Sequence, residues 1–331
     1  MVPKKIWSLM CILAAAMSVS PLSGLSSSPA SGWVPLRILD VNNLDWGEPR
    51  FGAKTKWLFE GEKGSHLLFC QFAPQGVPTP RPGYIGPHYH LFHEWAYITD
   101  GDFITYEFVH ARQRRGELLH YRTGTWLDRP AYSIHDGEGG AGGAHQQGSC
   151  TMLIMEEGSS SATADPMGGL ITLDPQSRFY KPESREVKQF TTAHFVHSAE
   201  SVDWESDPEL PGASIKWLSD DQTRGFRGRL HFVPAGWTFA RAPEKSHHKQ
   251  AHRFIYVLFG DLTVWTYDNP NSSGVRVEAK KDFFIDQPPM SIWGWGTGPV
   301  SKSGCMWLEV TYAAGTIIGG GSIEEPTVLA R

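Results

Sequence analysis

Two copies of one sequence pattern constrain the fold of this chain more than any other feature of its 331 residues. The first copy reads LDWGEPRFGAKTKWLFE from Leu44, and the second reads VDWESDPELPGASIKWLSD from Val202. Each copy contains Asp-Trp, then Gly-Ala, then Lys-Trp-Leu, an order that chance does not explain. Because a repeated sequence folds into repeated structural units, we predict two domains of similar fold.

The duplication continues downstream of this lead-in. The segment GPHYHLFHEWAYITDGDFITYEF, which ends at Phe108, aligns with SHHKQAHRFIYVLFGDLTVWTY, which ends at Tyr267. Farther on, LDRPAYSIH ends at His135 and aligns with IDQPPMSIW, which ends at Trp293. The alignment therefore pairs these two last residues as equivalent positions of the repeats.

Both copies have the residue pattern of strands. Apolar and polar residues alternate in 103–108 and again in 262–267, as in strands that have one buried face. Gly-Asp follows a hydrophobic run in each copy, which is a turn signal, and no long segment has helical periodicity. The sequence therefore predicts an all-β chain with one barrel or jelly roll per repeat, at 31–175 and 190–331.

The first thirty residues have the pattern of an export signal. Two lysines precede an apolar run over 6–19, and small residues follow it. A basic start, an apolar run and a small-residue exit form a secretory signal, and the run is shorter than the roughly 20 residues that span a bilayer. We expect 1–30 to be this signal, with cleavage after Ser18 or Ala30. The mature protein is then secreted or periplasmic, without stable membrane insertion.

Charge and cysteine content narrow the classes of partner. The chain has 30 Lys and Arg against 35 Asp and Glu, a formal net charge of −5, and no basic patch, which excludes nucleic acid as a partner. After the signal three cysteines remain, Cys70, Cys150 and Cys305. We interpret them as small buried hydrophobic residues rather than as a disulfide or a metal site. The expected partner is a small molecule, and homo-oligomer formation is left open.

The first repeat contains side chains with metal-binding chemistry. His88, His90 and Glu94 have even numbers, so a continuous strand directs all three to one face, whereas His93 has the opposite parity and should point away. A fourth ligand must come from another strand, and His135 is well placed for it. Three imidazoles and a carboxylate suit a divalent metal ion, and they leave coordination positions open for water or substrate.

These residues fall into two motifs that resemble those of the cupin superfamily. His-x-His-x3-Glu-x6-Gly ends at Gly101, and Gly-x5-Pro-x4-His begins at Gly124. The second motif lacks its usual glycine after the proline, where Tyr132 stands, and its terminal asparagine. The resemblance covers both repeats and implies two tandem double-stranded β-helix barrels. It also implies the metal ligands His88, His90, Glu94 and His135.

The second repeat lacks this equipment where the two sequences align. Those positions hold His247, Lys249, Arg253 and Trp293. Lys and Arg repel a cation and Trp cannot bind one, so we predict one divalent metal ion per chain, in the first barrel. Iron, manganese, nickel, copper and zinc are not distinguished. We predict a structural second barrel, with anion binding through Lys249 and Arg253 as the alternative.

The fold alone does not determine a function. Cupins with this ligand set include dioxygenases, decarboxylases, isomerases, sugar-binding proteins and metal sensors. The lead-in that ends in Lys-Trp-Leu is also similar to the cupin domains of zinc-binding anti-sigma factors and of aryl-ketone dioxygenases. Our hypothesis is an exported metal-dependent oxygenase or lyase for a small oxygen-rich organic substrate, with Glu94 as its catalytic residue. The alternative is a non-catalytic protein that binds a small molecule through the metal.

Overall fold

A computed structural model describes the chain in the ranges 32–47, 53–72, 86–136, 149–159, 169–177, 180, 187, 189–240, 245–313, 323 and 326–329. The predicted export signal at 1–30 lies outside the described residues. Within these ranges, every regular element longer than three residues is a strand, and none of the helices has the length and apolar character needed to cross a membrane. The predicted all-β class is therefore confirmed.

Strands occur in both repeats in the same order. The first repeat contains β1 (Arg37–Asp40), β2 (Ala53–Glu60), β3 (His66–Phe72), β4 (His88–His90), β5 (Glu94–Asp100), β6 (Asp102–Glu107), β7 (Glu117–Arg122), β8 (Thr125–Arg129), β9 (Cys150–Glu156) and β10 (Leu170–Thr172). The second repeat contains β11 (His194–His197), β12 (Glu205–Ser206), β13 (Ser214–Asp221), β14 (Phe226–Val233), β15 (Lys245–His247), β16 (His252–Tyr267), β17 (Val275–Lys280), β18 (Phe283–Gln287), β19 (Ile292–Gly294), β20 (Cys305–Tyr312) and β21 (Thr327–Leu329). Short 3-10 helices span Val41–Asn43 and Glu62–Gly64.

The strands pair antiparallel around a separate interior in each repeat. In the first repeat one sheet has the order β11-β8-β5-β9-β3-β2, and the pairs β10-β4 and β6-β7 lie outside it. In the second repeat a larger sheet follows the path β12-β13-β14-β20-β16-β19-β15-β21, with β1, β17 and β18 joined beside it. The continuous strand β16 corresponds to β5 and β6 of the first repeat.

Strand β5 is buried on both faces, and its alternate residues belong to different cores. Trp95 and Tyr97 pack into a cluster that includes residues of both repeats, while Ala96 and Ile98 pack inside the first barrel. All four side chains are at most 3% exposed. Because side chains alternate along a strand, Glu94 at the start of β5 shares the interior face.

Aromatic rings join the two repeats in this shared cluster. Trp126 is fully buried, and its ring centroid lies 5.0 Å from that of Trp95 and 6.1 Å from that of Phe226 in the second repeat. Trp95 Nε1 donates a hydrogen bond of 2.7 Å to the hydroxyl of Tyr312. A Cβ added at Gly228 would lie 2.9 Å from Trp126, so the backbone of β14 approaches the indole closely.

The strand that precedes each Asp-Trp lead-in pairs with the other repeat. β1 pairs with β18, with Leu39 opposite Phe284, and β11 pairs with β8, with Phe195 opposite Leu127. This reciprocal exchange crosses the boundary between the predicted domains 31–175 and 190–331. Each barrel therefore depends on a strand from the other repeat for one edge of its sheet.

We expect Trp126→Ala to lower the free energy of unfolding by about 3–5 kcal/mol, because it removes a large, fully buried ring from the contact between the repeats. The measurement is equilibrium unfolding in urea, followed by tryptophan fluorescence. Trp57→Ala is the matched control, since that indole is 42% exposed. Equal and small losses in both variants would show that the shared cluster does not hold the repeats together.

Candidate metal centre

Three histidine side chains converge inside the first barrel. His88 and His90 lie on β4, and His135 pairs with His88 through backbone hydrogen bonds of 2.9 and 3.0 Å. The His135 ring centroid lies 4.3 Å from that of His88 and 5.2 Å from that of His90. One nitrogen from each ring lies within 4.8 Å of the other two. The structure thus brings together three of the four ligands that the sequence predicted.

Backbone carbonyls orient two of these rings. His88 Nδ1 lies 2.9 Å from the carbonyl oxygen of Gly86, and His135 Nδ1 lies 3.1 Å from that of Ser133. A carbonyl only accepts hydrogen bonds, so each Nδ1 carries the proton and each Nε2 keeps a free lone pair. This is the tautomer and orientation that metal-binding histidines have.

The buried position of these rings also keeps them neutral. Burial lowers the pKa of His88 to about 3, and the neighbouring His90 adds to that effect. Burial and the Arg129 guanidinium hold the pKa of His135 well below its ordinary value. Since a metal ion binds only the deprotonated imidazole, the two rings are ready to bind at neutral pH.

Glu94 lies beside the three histidines and is held by an arginine. Its Oε2 lies 3.3 Å from His90 Nε2, and its Oε1 accepts a hydrogen bond of 2.5 Å from Arg129. Burial would raise the pKa of this carboxyl, but Arg129 and His90 outweigh burial and hold it well below the usual range. Glu94 does not belong to the set of three histidines within 4.8 Å; it forms a second set with His90 and Glu156.

Glu156 is a functional candidate that sequence reasoning missed. It is the last residue of β9, directly opposite Glu94 in the sheet, and it is 8% exposed. Its Oε2 lies 3.4 Å from Nε2 of His66, which is also buried. Neither residue belongs to a recognisable motif. The signal that could have found them is parity, since Glu156 shares the interior face of β9 with Met152.

The interior of the first barrel has an excess of negative charge. Three carboxylates, Glu94, Glu107 and Glu156, are buried in the first repeat, and one buried guanidinium, that of Arg129, bonds to the first two. Arg129 donates hydrogen bonds of 3.0 and 2.5 Å to Glu107 in addition to its bond to Glu94. With all three carboxylates ionised and the imidazoles neutral, the formal charge is about −2, although burial raises the pKa of Glu107 and so reduces this excess. A divalent cation would balance it, so the residues present fit such an ion.

His93 points away from the three histidines, the orientation that its parity predicts. It is buried between two carboxylates, with Nε2 2.7 Å from Asp128 and Nδ1 2.7 Å from Glu157. Ser219 and Arg224 of the second repeat bond to these same carboxylates. Burial would lower the pKa of His93, but Glu157 and Asp128 outweigh it and raise the pKa. His93 therefore belongs to the contact between the repeats.

In β15 and directly after it, the predicted alignment of the second repeat is displaced by one residue from the structure. The backbone N–H of Tyr132 bonds to the carbonyl of His90 at 2.8 Å, and that of Met290 bonds to the carbonyl of His248 at 2.7 Å. Tyr132 and Met290 are equivalent, since each lies two residues after the aligned proline and has a positive φ. His248 therefore occupies the position of His90, and the prediction of Lys249 was wrong.

The same one-residue correction applies two residues earlier in the chain. His88 pairs with His135, and Ser246 pairs with Trp293. Ser246 therefore stands at the position of His88, where the alignment placed His247. Trp293 has its predicted place opposite His135.

An extra residue in one loop explains the shift. Glu94 follows His90 by four residues, whereas Arg253 follows His248 by five. Glu94 pairs with Arg129, and Arg253 pairs with the corresponding Gln287. Arg253 thus has its predicted place, and the extra residue lies between β15 and β16.

Comparison with solved structures identifies proteins of similar fold. A protein from Nostoc punctiforme PCC 73102, described as a candidate dioxygenase, has a TM-score of 0.57 and 14% identity over 89% of this chain and 87% of its own. Oxalate decarboxylase from Bacillus subtilis has a TM-score of 0.53 and 10% identity over 88% and 78%. Vicilin from Corylus avellana has a TM-score of 0.52 and 10% identity over 84% and 85%.

These similarities are structural and do not extend to the sequence. No family model and no curated protein sequence matches this chain. Identities of 10–14% show a shared fold alone. They confirm the predicted fold class of two tandem jelly-roll barrels.

We expect the purified protein to bind one equivalent of a divalent metal, and His88→Ala and His135→Ala to reduce bound metal to background, because each removes a converging Nε2. Elemental analysis after metal loading measures this. His120→Ala is the matched control, since its ring is 47% exposed and paired with Asp102 outside the cluster. Full occupancy of the His88→Ala variant would refute the ligand assignment.

Proposed function

Because the chain has the tandem-barrel fold of the cupins, we propose that it is a metal-dependent enzyme, an oxygenase or a lyase, for a small oxygen-rich organic molecule. The observation that carries this proposal is the convergence of His88, His90 and His135 beside Glu94. Oxalate decarboxylase and the candidate dioxygenase are structural neighbours whose names describe chemistry of this kind.

The four side chains would hold the ion through two imidazoles of β4, the imidazole of His135 and the carboxylate of Glu94. A divalent metal bound there supplies Lewis acidity and open coordination positions for substrate oxygens. Arg129 binds one oxygen of Glu94 and so restrains the carboxylate that faces His90. The second bond partner of Arg129, Glu107, restrains the guanidinium in turn.

The pair of Glu156 and His66 favours an enzyme over a protein that only binds. Glu156 adjoins His90 and Glu94 but is not needed to complete a four-ligand site. A buried carboxylate in contact with an imidazole can accept a proton from a substrate and hold it during the reaction.

The burial of the centre limits the substrate. His88, His90, Glu94 and His135 are all at most 7% exposed. Water is largely excluded from such a site, which strengthens the electrostatic interactions within it. These features favour a small substrate that binds through its own oxygen atoms.

Export from the cell is part of the proposal and is supported by the pattern of residues 1–30.

We expect Glu156→Gln to keep the metal and to lower kcat by about 100-fold or more, because the amide has the size of the carboxylate but accepts no proton. Metal content and turnover are measured on the same samples. Glu117→Gln is the control, since this carboxylate is exposed on β7. Unchanged turnover in the Glu156 variant would remove the proton-accepting role.

We expect Glu94→Gln to reduce turnover more than substrate affinity, because loss of the negative charge changes the stability of the transition state at the site.

The wild type is first loaded in turn with iron, manganese, nickel, copper and zinc. Each form is screened for oxygen consumption and for loss of organic acids, diketones and phenols. If no metal form consumes any of them, the non-catalytic binding function replaces the enzymatic one.

A further inference from the structure

The second barrel encloses a cavity of about 380 Å³ that the proposed function does not use. Aromatic rings of Phe239, Trp293 and Trp295 line it, together with the guanidinium groups of Arg229 and Arg253. Pockets for small organic molecules have about this volume and combine apolar walls with a few polar groups. The cavity thus has the size and the lining of a binding site.

Unpaired hydrogen-bond donors in the lining indicate what the cavity binds. Arg229 Nε, Arg253 Nη2 and Trp293 Nε1 have no hydrogen-bond partner among the described residues. All three residues are at most 6% exposed. Native proteins rarely leave buried N–H groups unpaired. Because all three groups are donors, the missing partner must bring acceptor oxygens.

The ion pairs around the cavity leave one guanidinium without a carboxylate of its own. Arg229 binds Glu209 at 2.5 Å and also binds Glu309. Arg253 donates from Nε to the neutral amide oxygen of Gln287. Its Nη1 makes a weaker contact of 3.5 Å with Glu309, a carboxylate that Arg229 already binds. Burial lowers the pKa of Arg253, Glu309 opposes this effect, and Arg229 adds to it. A bound carboxylate would compensate the charge of Arg253.

The neighbourhood of Arg253 also limits the charge of the ligand. Its guanidinium lies 4.2 Å from the ring centroid of Trp293, a stacking contact that restrains its plane. Glu309 is buried beside it and repels a second negative charge. A monoanion therefore fits better than a phosphate dianion. Lys249, which the sequence offered as an anion ligand, is exposed in a bend and does not line the cavity.

Comparison of the two barrels supports the same assignment. Arg253 stands where the first barrel has Glu94, and Trp293 stands where it has His135. The second barrel thus has the positively charged side chain of Arg253 where the first barrel has a candidate metal ligand. We propose that it binds a small organic monocarboxylate, whose carboxylate pairs with Arg253 and Arg229 and whose apolar or aromatic body packs against Trp293 and Trp295.

The test uses the full chain and two probes of the same shape, benzoate and the uncharged benzamide, with hexanoate as an aliphatic monocarboxylate. Binding is measured by quenching of tryptophan fluorescence and by calorimetry. We expect saturable binding of a monocarboxylate, at least about 10-fold weaker binding of benzamide than of benzoate, and weaker binding of inorganic phosphate. This comparison is made in the wild type and so does not depend on the folding of any variant.

Variants then locate the bound carboxylate. Arg253→Gln should weaken benzoate binding by at least about 10-fold, whereas Lys249→Gln, which removes an exposed cation nearby, should leave it unchanged. His88→Ala should also leave it unchanged, which separates this site from the proposed metal centre. The proposal is overturned if no probe binds at millimolar concentration, if benzamide equals benzoate, if folded Arg253→Gln binds normally, or if His88→Ala abolishes binding.

Discussion

Burial of β5 on both faces is the constraint on which the rest of the structure depends. Residues of one parity, Trp95 and Tyr97, hold the second repeat, and residues of the other parity line the first barrel interior, beginning with Glu94. A shift of one residue in this strand would exchange the two faces. The aromatic contact between the repeats therefore also fixes which carboxylate lies beside the three histidines. The buried pair of His93 and Asp128 belongs to the same contact.

The sequence was sufficient for features that depend on local periodicity. Duplication and alternation predict tandem all-β barrels, and the even spacing of His88, His90 and Glu94 predicts that they share a side of the chain. The rule applies within β4, which contains His88 and His90. Residues 91–93 are not part of a strand, and they separate β4 from β5, which lies in another sheet. The expected continuous strand is therefore wrong, and the positions of Glu94 and of His93 depend on this bend as well as on strand parity.

Features that depend on pairing between distant strands were beyond the sequence. Glu156 reaches the site because β9 pairs with β5 in one particular register, and no motif specifies that register. The exchange of β1 and β11 depends on contacts between repeats.

The misplacement of His247 and Lys249 has a simpler cause. An extra residue in a loop can be placed anywhere in a sequence alignment, and only the backbone bonds of His248 locate it.

The two barrels solve one electrostatic problem in different ways. Each interior contains buried carboxylates, which are destabilising unless cations balance them. In the first barrel Arg129 bonds to two of the three buried carboxylates, Glu94 and Glu107, and Glu156 pairs with a histidine instead. The second barrel contains Arg229 and Arg253 among its carboxylates, and the unpaired groups of its described cavity lining include the donors Arg229 Nε, Arg253 Nη2 and Trp293 Nε1.

On the proposed assignments the first site would bind a cation and the second an anion, although both belong to one duplicated pattern. Polar interiors of this kind weaken a fold. Apolar burial between the repeats offsets that loss of stability. The residues that provide this burial have the opposite strand parity to the polar residues of the interiors. Because the stabilising and the binding residues alternate along the same strands, either interior can change its ligand chemistry while the contact between the barrels stays intact.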